Sequence, residues 1–131
     1  MGSYLNPGTI EFQESLNSEI YIDKTGLIEK TNAVLRTKQK FVCISRPRRF
    51  GKSMAADMLA AYYERGEDTV KLFADFAIGK AESFRKHLNQ YDVLKINMQE
   101  FLSKSCSKFF PPMIELKIIM GFYTKKLEIQ F

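Results

Sequence analysis

An α/β fold, with helices flanking a parallel sheet, is predicted by three features of this sequence. The run Lys40-Phe-Val-Cys-Ile-Ser45 is short, dense in Phe, Val and Ile and free of polar alternation, as in strands covered on both faces. From Ser53 the pattern becomes helical, with Met54, Met58, Leu59, Tyr62 and Tyr63 recurring at spacings of three and four. A second strand candidate follows at 92–98, DVLKINM, less uniformly apolar because Lys95 stands at its centre.

Taken in order, residues 1–22 form a docking arm. Asn6, Pro7 and Gly8 make a turn, and Ile10, Phe12, Leu16 and Ile20 are placed to dock an otherwise irregular segment of 1–20 on a core. Tyr21 and Ile22 read as a short extended piece. Asp23 reads as the N-cap of a helix to about Arg36, with Leu27, Ile28, Val34 and Leu35 on its buried side. The helix that begins at Ser53 has Gly66 as its natural stop. Residues 69–79 give a part-helical connection ended by Gly79, and a helix over 81–89 leads to the second strand. Beyond Phe101 the composition turns to Ser and Lys, and Pro111-Pro112 opens a last helix through Ile114, Ile118, Ile119 and Phe122.

The 131 residues fit one domain, and 45% hydrophobic with 13% aromatic content supplies a core built largely on eleven Phe and six Tyr. A net charge of +5 favours polyanionic partners such as nucleotide phosphates, nucleic acid or an acidic surface. Basic residues concentrate at Arg46, Arg48, Arg49 and Lys52, and again at Arg36, Lys38 and Lys40, the latter read as a solvated helix end. Two cysteines, Cys43 and Cys106, support neither a disulfide framework nor a zinc site. The N-terminus lacks a basic start followed by an apolar stretch, and Asn6 stands where a myristoylation signal needs Ser or Thr. A cytoplasmic setting is expected.

The chemistry lies in Arg46-Pro47-Arg48-Arg49-Phe50-Gly51-Lys52-Ser53, which sits between strand and helix and matches the phosphate-loop pattern GxxxxGK[ST] except that Arg46 replaces the first Gly. Such a loop points successive backbone N–H groups at phosphate oxygens, and Gly51 lets the main chain approach closely. The following helix aims its positive end at the anion. Lys52 adds a full charge near the terminal phosphates, and Ser53 offers a hydroxyl to Mg²⁺. The plain alternative is a basic strand-to-helix turn in which Lys52 and Ser53 are ordinary surface and cap residues.

On YIDKTGLI at 21–28, SRPRRFGKSM at 45–54, MLAAYYERG at 58–66 and LNQYDVLKINMQEFLS at 88–103, the chain resembles a known family. This is the predicted AAA-ATPase-like domain of gut and anaerobic bacteria, often fused to a PD-(D/E)XK nuclease-like domain. The resemblance runs from about residue 3 to residue 103, and in that family Arg-Pro-Arg-Arg takes the place of the first Gly. It implies a P-loop NTPase-type three-layer sheet, here incomplete, and ATP with Mg²⁺ as cofactors. Gly51, Lys52 and Ser53 become the phosphate and Mg²⁺ residues, while Pro47, Arg48, Arg49 and Phe50 shape the loop. Tyr21, Asp23 and Lys24 are implied to lie near the nucleotide or to anchor the arm beside it, with helix capping as the other role open to Asp23.

Hydrolysis by this class needs a second strand ending in an acidic residue. The candidate at 92–98 ends in Asn97 and Met98, so turnover no faster than background is expected and catalytic residues stay unassigned. The tail 104–131 departs from the family's continuation. The expectation is a truncated chain, or one read in another frame there, comprising the N-terminal portion of the domain and prone to self-association or to pairing with a downstream domain. The rival functions are a basic nucleic-acid-binding module, for which no groove-reading motif is present, and a truncated interaction fragment without activity.

Overall fold

The computed structural model describes residues 5–97, 118–123 and 128–130, with backbone alone for the last two segments. Its elements are α1 (Ile10–Leu16), α2 (Gly26–Val34), β1 (Val42–Cys43), α3 (Lys52–Tyr63), α4 (Val70–Phe73), a 3₁₀ turn (Ala77–Lys80), α5 (Phe84–His87), β2 (Asp92–Asn97), β3 (Ile118–Tyr123) and β4 (Glu128–Gln130). The fold is mixed α/β.

Helix α3 is the centre of the molecule because almost its whole circumference is apolar. Ala55, Ala56, Met58, Leu59, Ala60, Ala61, Tyr62 and Tyr63 are all buried, which is the pattern of a helix covered on every side. Its alanines let neighbouring segments approach closely, and α1 and β2 pack against it. The large side chains at its end meet an aromatic cluster. Phe12 stacks on Phe73 at 5.2 Å between ring centroids, and Tyr62 meets Phe73 edge-on at 5.5 Å. Both tyrosine hydroxyls are buried and paired. Tyr62 donates to the Phe84 carbonyl at 2.6 Å, and Tyr63 donates to Asn32 Oδ1 at 2.6 Å. Burial pushes the Tyr63 phenol far above its ordinary range, against the opposing hydrogen bond with Thr31, so it stays neutral at all working pH.

Helix α3 stops before Gly66. Glu64 turns to an extended conformation, and the segment 89–91 caps the last carbonyls of the helix: Asn89 N–H donates to Tyr62 O at 2.9 Å and Tyr91 N–H to Tyr63 O at 2.9 Å. Asn89 adopts a positive φ of 54° while its side-chain amide donates to Glu64 O at 2.8 Å. The stop is therefore tertiary, made by residues 25 to 28 positions away.

The arm at the N-terminus contains a helix, α1, where an irregular segment was expected; Phe12 is its one buried residue. Polar contacts before the helix dock it as well. Asn6 exchanges two hydrogen bonds with Val93, at 2.7 and 2.8 Å, and Gly8 N–H donates to the buried Glu64 carboxylate at 2.9 Å. Burial raises the Glu64 pKa, opposed by that Gly8 bond and reinforced by the neighbouring Glu67 charge.

The sheet order is β1-β4-β3-β2, and it corrects the expected parallel arrangement. Strand β2 pairs antiparallel with β3 from Asp92↔Tyr123 to Asn97↔Ile118, and β3 pairs antiparallel with β4; β1 alone is parallel, to β4. The predicted last helix through Ile118, Ile119 and Phe122 is replaced by β3, whose β-branched Ile pair suits a strand and whose Gly121 weakens a helix. The first strand is also shorter than 40–45 and is not covered on both faces: Val42 is half-buried, while Phe41 and Cys43 are exposed. The predicted 81–89 helix contracts to α5. Cys106, Pro111, Pro112 and most of the 104–131 tail lie outside the described residues.

Gly79 has no room for a side chain. A Cβ there would sit 2.7 Å from the Ala74 carbonyl carbon and 2.8 Å from the Phe73 oxygen, both rigid backbone. Gly79→Ala is expected to destabilise the fold by about 1–3 kcal/mol, the usual cost of overpacking, measurable as a lowered urea midpoint. A midpoint equal to wild type would show that the turn relaxes freely.

Candidate functional site

The loop between β1 and α3 is exposed from Ser45 to Phe50 and closes on itself through its own lysine. Gly51 occupies the left-handed region, φ 74° and ψ 28°, as the residue preceding the first turn of α3, and Arg49 has a positive φ of 67°. Glycine reaches that conformation without strain. From the first helical position the Lys52 ammonium folds back and donates to the Arg46 carbonyl. Residues 46–52 thus form a ring with an ammonium at its mouth, and the N-cap residue Gly51 has no side chain with which to cap α3. The first N–H groups of a helix lack intrahelical partners, so this end is open to an anion. Ser53, one residue on, is exposed.

A second lysine reaches the loop from the N-terminal arm. Lys24 Nζ donates to the Phe50 carbonyl at 3.1 Å, and a Cβ on Gly51 would overlap it. The stem of Lys24 is fixed by its neighbours. Asp23 accepts from Thr25 N–H at 2.8 Å, from the Thr25 hydroxyl at 2.6 Å and from Ala77 N–H at 2.9 Å, while Thr25 Oγ1 accepts from Ile78 N–H at 3.2 Å. Burial works against ionisation of Asp23, yet those hydrogen bonds outweigh it and hold the carboxyl below its ordinary pKa. The residue at the N-cap position of α2 is Thr25, so Asp23 ties the arm to the 3₁₀ turn from outside the helix.

The structure therefore gathers Lys24, Arg46, Arg49, Phe50, Gly51 and Lys52 around one loop, while Asp23 has its carboxylate engaged in anchoring. Pro47 and Arg48 are exposed parts of the same loop. Sequence reasoning passed over Ile20, Ile22, Met54 and Met58, which line a cavity beside the loop. Met54 and Met58, one helical turn apart at the start of α3, were legible only as an apolar helix face.

The acidic residue of β2, Asp92, stands at the start of the strand and pairs with Arg65 at 2.6 Å. Asp57 of α3 pairs with Lys95 at the middle of β2, joining helix and sheet. Among the described residues no group of three or more His, Cys, Asp or Glu could hold a metal ion, and no helix is long and apolar enough to cross a membrane. Against known proteins, a family model described as a predicted AAA-ATPase matches residues 7–119. No curated protein and no solved structure matches the chain.

Proposed function

The chain belongs to the predicted AAA-ATPase family, and from that premise we propose that it binds ATP with Mg²⁺ through the loop 46–53. The observation that carries this reading is the ring closed by Lys52 on the Arg46 carbonyl at the uncapped start of α3. Phosphate oxygens would replace that carbonyl as acceptors for the ammonium. The N–H groups that begin α3 add fixed dipoles, and Arg46, Arg48 and Arg49 add positive field around the loop. Lys24 would supply a further cation from the arm. Ser53 offers one hard oxygen to Mg²⁺, which ordinarily keeps several waters and takes substrate phosphates as ligands.

The reading stops at binding. Hydrolysis requires an acidic group that holds the metal and helps orient the attacking water. Neither β1 nor the end of β2 offers one, since β2 finishes at Asn97 and Asp92 is paired with Arg65. Phosphate release at background rate is the expectation for this chain.

Equilibrium dialysis with ATP, with and without Mg²⁺, tests the proposal. Saturable binding at one site per chain, strengthened by Mg²⁺, is expected; absence of saturation at millimolar ATP would refute it. Nucleic acid is expected to bind weakly through the same arginines. Contacts restricted to phosphates give affinity without base preference that falls steeply with salt. Anisotropy titration of a labelled oligonucleotide should show release by ATP. Tight, base-selective binding that ignores ATP would make the chain a nucleic-acid module instead.

A further inference from the structure

His87 is the sole histidine of the chain, and the fold buries it. Its side chain, in α5, is 2% exposed, and its Nδ1 stands 2.7 Å from the Tyr91 hydroxyl. We infer that His87 is an acid-sensitive latch, whose protonation opens α5 and the segment 89–91 from the end of α3. The inference is independent of the phosphate-loop reading.

The latch holds the end of the central helix. Asn89 and Tyr91 donate their N–H groups to Tyr62 O and Tyr63 O, the last carbonyls of α3, and Tyr91 O accepts from Arg65 N–H at 3.0 Å. On the α5 side, Phe84 O accepts the Tyr62 hydroxyl, and Phe84 and Leu88 are buried. Helix α5 itself is one turn of four residues, too short to stand without tertiary contacts. Elements of that kind are where local opening begins.

The neutral ring suits this place and the charged ring does not. A neutral imidazole and the Tyr91 hydroxyl can share their hydrogen bond in either direction, whereas the protonated ring has donors only. Burial is the first cause that disfavours the imidazolium; Arg36, just beyond α2, and Lys86, the neighbour in α5, add like charge. From α3 the group that faces the pair is Tyr63, edge-on to Tyr91 at 5.9 Å, and its phenol stays neutral. Together these causes hold the His87 pKa below its ordinary value. Once released to solvent, the ring regains an ordinary pKa of about 6.5, so the open form binds more protons. Closure is therefore complete above that value and is lost progressively as pH falls from it toward the depressed pKa. Glu64, bridged to Tyr91, can only oppose this loss, because its raised pKa favours the folded form as pH falls.

Hydrogen exchange of the Asn89 and Tyr91 amides in the full chain, with intrinsic rates divided out, tests the latch. Protection of both should fall below about pH 6.5, approaching about tenfold per pH unit, since opening takes up one proton. The amides of α2 should keep their protection. In His87→Asn, whose side-chain oxygen can still accept from Tyr91, the protection should be level with pH. The single histidine ring resonance should titrate below its ordinary value, and it decides together with wild-type exchange if the variant does not fold. A ring midpoint at or above the ordinary value, level protection in wild type, or the wild-type slope in His87→Asn would overturn the latch. An equal fall in the amides of α2 would overturn it as well, because the event would then be global unfolding.

Discussion

Phe73→Ala should cost about 3–5 kcal/mol of folding free energy, the range for deleting a buried phenyl ring. Phe73 is fully buried, stacked on Phe12 of α1 and edge-on to Tyr62 of α3, so its removal opens a cavity where three helices meet. The polar pairs around it make collapse into that space difficult. Tyr62 is held by its bond to the Phe84 carbonyl, and Phe12 lies on an arm pinned through Gly8 to Glu64. Domains of this size are stable by only about 5–15 kcal/mol, so the variant would be largely unfolded at modest denaturant. Urea unfolding followed by far-UV circular dichroism measures this. Phe41→Ala, at an exposed ring, should shift the midpoint little, and a Phe73→Ala loss below about 1 kcal/mol would mean that the aromatic cluster does not hold the helices together.

Lys52→Ala is expected to weaken Mg-ATP binding about 10- to 100-fold. A hydrogen bond to a charged partner is worth about 1.5–3 kcal/mol, and each 1.4 kcal/mol is a factor of ten in affinity. The loop loses its closure on the Arg46 carbonyl but stays anchored at its end, because Lys24 still holds the Phe50 carbonyl and Gly51 still starts α3 in its left-handed conformation. Lys52 itself is an exposed contact of the loop and not of the core. Calorimetric titration of both proteins, with matching urea midpoints, reads the effect directly. Affinity within twofold of wild type would remove Lys52 from the binding account.

The local pattern around the loop was legible because it is set by nearby residues. The period of Met54, Met58, Leu59, Tyr62 and Tyr63 gave α3, and the Gly51-Lys52-Ser53 tripeptide marked its start. Elements fixed by distant partners were not. Helix α3 ends three residues before Gly66 because 89–91 caps it, and no local signal in Glu64 announces that. Strand β3 was read as a helix because its Ile pair and Phe fit either period, and the antiparallel register with β2 decided between them. Within the candidate site, Lys24 was placed near the loop by family resemblance, and the structure supplies its contact with Phe50. Asp23 was legible as a capping-type acceptor, but its bond to Ala77, 54 residues away, was not.

The central claim, that the loop 46–53 holds a nucleotide's phosphates, is tested most directly by following backbone amide resonances of the ¹⁵N-labelled chain during titration with Mg-ATP. The amides of residues 49–54 should show the largest saturable shifts, since their N–H groups would turn from solvent to phosphate oxygens. Saturable shifts confined to other parts of the chain, or none at any nucleotide concentration, would contradict it.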